Sequence, residues 1–157
     1  MKKPVDTQTF KFVNTNPHNR KTSDCVFRAL ASVFDISWEK ALLACVGIAL
    51  KKGVAPNDPA CYGALLTKLG IEKEKQPRTF DGMKITGKSF CLNTISKDQR
   101  ILAHIGGHHI VAIKDGRIED IWDSTNGCIG NYWVIPNDEN ILANLRNKLD
   151  TLSLEVK

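Results

Sequence analysis

The chain has no C-x-x-C pair, no apolar run long enough to span a membrane and no sustained block of like charge, and each absence closes off a class of function. The five cysteines (Cys25, Cys45, Cys61, Cys91 and Cys128) form an odd set with wide, irregular spacing. A disulfide-stapled secreted domain or a structural zinc site would show closer, paired cysteines. Reduced thiols in a cytoplasmic protein, with no metal and no cofactor, are therefore expected. Met1-Lys2-Lys3-Pro4-Val5-Asp6 has two lysines but no apolar stretch after them, which speaks against an export signal. Nothing elsewhere approaches the ~20 apolar residues of a membrane span. The 22 basic and 17 acidic residues leave a formal charge of +5, but the basic pairs Lys2-Lys3, Arg20-Lys21 and Lys51-Lys52 have no aromatic residues interleaved with them. That pattern fits a solvated surface and argues against a nucleic-acid partner.

At 157 residues and 42% hydrophobic content, the chain is long and apolar enough for one core, so residues 1–157 are expected to fold as a single domain. Residues 1–22, with Pro4 and Pro17 and no periodicity, read as an extended arm or loop. Residues 23–70 read as helical. Cys25, Val26, Ala29, Leu30, Val33 and Phe34 recur at helical spacing behind Thr22, Ser23 and Asp24, all good cap or first-turn residues. A second helix follows Ser37 and stops near Gly53, and a third starts at Asn57 or Asp58 and ends at Gly70. Ile71 to Asp81 reads as a loop. Over 86–135 the period shortens. Apolar runs at 89–92, 101–105, 109–113, 118–122 and 131–135, separated by turns such as Asp115-Gly116, predict an antiparallel sheet. A closing helix over 138–150 follows. The fold class is α+β.

A thiol in the first turn of a helix faces unpaired backbone N–H groups whose partial positive charge favours thiolate, which makes Cys25 the candidate nucleophile. Cys45, Cys61 and Cys91 fall within apolar stripes and read as core. His109 opens the strand His109-Ile110-Val111-Ala112-Ile113 directly after Gly106-Gly107, a position suited to a general base. A two-residue turn at Asp115-Gly116 pairs Lys114 with Arg117 and Val111 with Asp120. Alternation then puts His109 on one face with Val111, Ile113, Ile118, Asp120 and Trp122, the more apolar face of the two. Asp120 is the candidate third member of a triad. Asp123 takes its place if a bulge shifts the register by one residue. The backbone N–H of Cys25 can serve an oxyanion. Asn19, six residues before the cysteine, is a candidate side-chain donor, with Asn16 a second choice.

The phrases Thr22-Ser23-Asp24-Cys25-Val26-Phe27-Arg28-Ala29-Leu30 and Gly107-His108-His109-Ile110-Val111-Ala112-Ile113-Lys114-Asp115-Gly116, followed by Asp120-Ile121-Trp122-Asp123-Ser124, occur in the order helix-borne cysteine, helical region, then histidine and acid on consecutive strands. In this the chain resembles the papain-like cysteine peptidase superfamily, and in particular small bacterial and phage members similar to the double-glycine peptidases that trim bacteriocin leaders. The resemblance implies a papain-like core and a thiolate–imidazolium pair of Cys25 and His109 with an acidic third residue. It further implies an acyl-enzyme and hydrolysis of a peptide, isopeptide or amide bond in a peptide or protein substrate. A glutamine-like oxyanion donor is also implied, where this chain has Asn19. Two alternatives stay open: a catalytically silent papain-like binding protein of phage or host-interaction type, and a transglutaminase-like acyltransferase.

Overall fold

The computed structural model describes residues 2–155. Its centre is a mixed six-stranded sheet with strand order β1-β5-β4-β3-β6-β2. The strands are β1 (Phe10–Phe12), β2 (Lys73–Glu74), β3 (Arg100–Ile105), β4 (His109–Lys114), β5 (Arg117–Asp120) and β6 (Ile129–Ile135). The helices are α1 (Cys25–Phe34), α2 (Trp38–Lys52), α3 (Pro59–Lys68), the short α4 (Gly87–Ser89), which runs on into a π-helical turn over Phe90–Thr94, and α5 (Glu139–Leu154). The class is α+β. No helix among the described residues is long and apolar enough to cross a membrane.

Strand alternation divides the interior into two cores. Leu102, Ile110, Ala112, Trp133 and Ile135 project to one face and pack with α1, α2, α3 and α5. Ile101, Ala103, Ile105, Val111, Ile113, Ile118 and Ile129 project to the other and pack with Phe90 and Cys91. The helix boundaries follow their cap residues. Ser37 accepts from the Lys40 N–H, Asp58 from Ala60 ahead of Pro59, and Asp138 from Asn140 and Ile141, while Gly53 closes α2 in the left-handed conformation. The β4–β5 hairpin has the predicted two-residue turn, with Asp115 and Gly116 both at positive φ and Lys114 opposite Arg117.

Several expectations need correction. Within the segment read as an extended arm or loop, Phe10–Phe12 forms an edge strand parallel to β5, so the sheet is not wholly antiparallel. Three residues are too few to display alternation, and their partner lies a hundred residues away. Residues 89–92, read as a strand, are helical. Thr86 accepts from the Ser89 N–H at 3.2 Å, and the turn that follows seats Phe90 and Cys91 on the sheet. Lys73–Glu74, read as loop, pairs antiparallel with β6 and puts a strand outside 86–135. The face of the β4–β5 hairpin expected to be the more polar is buried as well. Ile110 and Ala112 pack under the helices there, and Glu119 beside them is buried because it accepts from the Ser32 hydroxyl of α1 and faces Lys11 at 3.7 Å.

Candidate active site

Three elements bring the candidate triad together. Cys25 is the first residue of α1, His109 the first of β4 and Asp120 the last of β5. α1 packs on β4, so its N-terminus lies at the end of the sheet where β4 begins. Asp24 occupies the N-cap position of α1 but makes no cap hydrogen bond, which leaves the first N–H groups of the helix open around the sulfur. The thiol is half-buried. Burial alone would raise it, but the hydrogen bond to His109, the Ile110 N–H and the positive charges of His109 and Arg28 more than offset this and hold it below the ordinary thiol value.

His109 Nε2 meets Asp120 Oδ2 at 2.5 Å, which leaves Nδ1 for the Cys25 thiol. Burial would lower the imidazole, yet the hydrogen bonds and charges of Asp120 and Cys25 raise it to about 9. The indole of Trp122 covers the ring at 4.8 Å between centroids. Asp120 is 4% exposed, and its Oδ1 accepts from the Ile121 N–H at 2.7 Å and from Arg28 at 3.3 Å. Asp123, the alternative, is exposed and accepts from the backbone and hydroxyl of Thr125 within its own turn. The spacing set by the Asp115-Gly116 turn is uninterrupted, so no bulge carries Asp123 to the histidine.

No protein-family model, curated protein or solved structure matches this chain. Beside Cys25 lies a cleft of about 340 Å³ lined by Ser23, Val26, Asn57, Pro59, Tyr62, His104, Gly107 and His108. A smaller hollow of about 160 Å³ beside His109 is lined by Ile105, Gly106, Trp122, Asp123, Ser124, Asn126 and Gly127.

The oxyanion expectation for side chains is not met. Asn19 lies in an exposed turn at φ 52° and does not line the cleft. Asn16 is buried, and its amide donates to Asp24 at 2.9 Å. Asn57 is the amide side chain that does face the cleft. Cys45 and Cys61 adjoin each other in the helical core, where the Cys61 thiol donates to the Cys45 carbonyl at 3.1 Å, and Cys91 is buried under the sheet. All five cysteines are free thiols.

Sequence reasoning missed Arg28, Asp24 and Trp38, which lie behind Asp120, and Tyr62 and His104, which bond each other at 2.5 Å in the cleft. Arg28 could have been noticed as a lone charge within the buried stripe of α1. Tyr62 and His104 belong to elements far apart in sequence and carry no local signal. His104 is held below its ordinary value by burial and by nearby Lys73 and His108. Tyr62 is pushed up to about 12 by burial and by the charges of Cys25 and Asp58.

Proposed function

We propose that the chain is a papain-like cysteine hydrolase that cleaves a peptide, isopeptide or amide bond. The observation that carries this reading is the imidazole of His109, bonded through Nε2 to the buried Asp120 carboxylate with Nδ1 left over for the Cys25 thiol, whose value it lowers. A thiol lowered and an imidazole raised by the same contact favour a thiolate–imidazolium pair near neutral pH. The thiolate attacks the substrate carbonyl carbon, and the carbonyl π electrons move to oxygen. The resulting oxyanion is met by the backbone N–H of Cys25, which as the first residue of α1 has no partner within the helix. His109 gives its Nδ1 proton to the leaving amine as the C–N bond breaks, which leaves a thioester on Cys25. Water then attacks the thioester, His109 takes its proton, and the thiolate departs with the acid product released. The leaving group must lie over the proton donor, the Nδ1 of His109. Asp120 holds the ring with Nδ1 towards the sulfur and stabilises its charged form.

The test is iodoacetamide labelling of each cysteine from about pH 4 to about pH 9, resolved by peptide mass spectrometry. Cys25 is expected to label fast with an apparent pKa well below the ~8.5 of a free thiol, and His109→Ala to abolish that acidity. If Cys25 titrates like an ordinary thiol or does not react, the hydrolase reading fails and the molecule is a binding scaffold.

A further inference from the structure

Behind Asp120 the structure holds a second carboxylate with more partners than its place in the fold requires. Asp24, 3% exposed, turns away from the helix start it could cap. It accepts from Asn16 Nδ2 at 2.9 Å, from Trp38 Nε1 at 3.0 Å and from the guanidinium of Arg28 one helical turn on. Arg28 is 5% exposed and reaches Asp120 Oδ1 with its other terminal nitrogen at 3.3 Å, while Asp120 Oδ2 holds His109. Charge therefore alternates along one buried line, from Asp24 through Arg28, Asp120 and His109 to Cys25. The other titratable side chains bordering the thiol, Tyr62, His104 and His108, line the cleft beside it and make no hydrogen bond to Asp24, Arg28 or Asp120.

Burying such a set is costly, and apolar side chains of equal volume would pack at least as well. They could not supply a directional hold on a carboxylate. A guanidinium fork can, because its geometry is rigid and its two ends bind separate acceptors. We propose that Asp24 and Arg28 are positioning residues: the guanidinium, anchored by Asp24 with Asn16 and Trp38, fixes the Asp120 carboxylate so that one oxygen faces His109, and so sets the thiolate fraction of Cys25. This inference rests on the hydrolase reading above.

The test compares Cys25 labelling across pH in wild type and in Arg28→Lys, Asp24→Asn and Trp38→Phe, with thermal melts to establish folding. Asp24→Asn separates position from charge. Removing a negative charge beside Arg28 makes the site more positive, so electrostatics alone would favour thiolate and speed labelling on the acid side. A positioning role predicts the opposite, slower labelling and a raised apparent pKa. Trp38→Phe alters no charge, retains an aromatic ring against Phe27, and should shift labelling in the same direction. The expected change is about tenfold in labelling rate at pH values below the apparent pKa, the equivalent of one pKa unit. Arg28→Lys keeps the charge, loses the fork and should show at least as large a loss. If wild-type Cys25 is acidic but the folded variants label as wild type does, or Asp24→Asn labels faster, the positioning role is overturned and the hydrolase reading stands. If wild-type Cys25 is not acidic, the hydrolase reading fails and the inference falls with it.

Discussion

His109 is held between two opposing influences, burial that disfavours its charged form and two anionic neighbours that favour it, and the neighbours prevail to give a value of about 9 against an ordinary 6.5. That difference ties stability to pH with a definite sign. A group whose folded value lies above its unfolded one stabilises the fold fully below the unfolded value and loses that contribution as pH rises through the folded value. Cys25, lowered in the fold, contributes in the opposite sense: its share is present above the ordinary thiol value and lost as pH falls. In a Cys25→Ser chain only the His109–Asp120 pair remains. The urea midpoint of that chain should fall as pH rises above about 6.5, over a window that closes below the wild-type value of about 9 because the Cys25 contribution is gone, and Asp120→Asn on the same background should flatten the fall. Equilibrium unfolding at closely spaced pH values checks this, and a midpoint that rises over the window would contradict the pairing. Cys25 and His109 could be named from their local settings, a helix start and a strand start. The choice of Asp120 over Asp123 needed the hairpin turn, since register decides which carboxylate faces the ring.

Among the elements, the short α4 and its π-helical continuation show how tertiary contact overrides a local pattern. The apolar residues 89–92 suit a strand, yet Phe90 and Cys91 are buried because a helical turn points both at the outer face of the sheet. Gly87 permits the close approach. A Cβ there would lie 2.8 Å from the Cδ1 atoms of both Ile105 and Ile118. Gly87→Ala should therefore destabilise the fold by about 1–3 kcal/mol through overpacking, read as a lowered urea midpoint with unchanged slope. A neutral result would mean that the ends of the two isoleucine side chains give way. The capped helices were legible because Ser37, Asp58 and Asp138 sit directly before apolar stripes, and cap chemistry is local.

At the scale of the whole molecule, the N-terminal strand braces the site from the sheet edge. Phe12 lies opposite Asp120 in the β1–β5 register, and the Val13 N–H bonds the Asp120 carbonyl at 2.9 Å, so the segment read as an extended arm or loop supports the strand that carries the acid. Phe10 is fully buried. Phe10→Ala should cost about 3–5 kcal/mol of stability, the range for emptying an aromatic core site. If β5 is held chiefly from this edge, the same variant should also slow Cys25 labelling at acid pH. A stability loss with labelling unchanged would assign Phe10 to packing alone.

What the sequence determined by itself is what short-range chemistry controls. It determined the α+β class, from a change of period along the chain. It also determined the helix starts, from side chains that bond nearby N–H groups, and the β4–β5 register, from two residues that tolerate positive φ. Only the tertiary structure decided the parallel edge strand, the burial of both sheet faces and the ion line from Asp24 to His109. Each of these joins residues tens of positions apart, and such a contact is favourable only when the intervening chain has folded. A carboxylate such as Asp24 looks the same in sequence whether it caps a helix or anchors an arginine. Its surroundings choose between the two, and here Asn16, Arg28 and Trp38 outcompete the helix end.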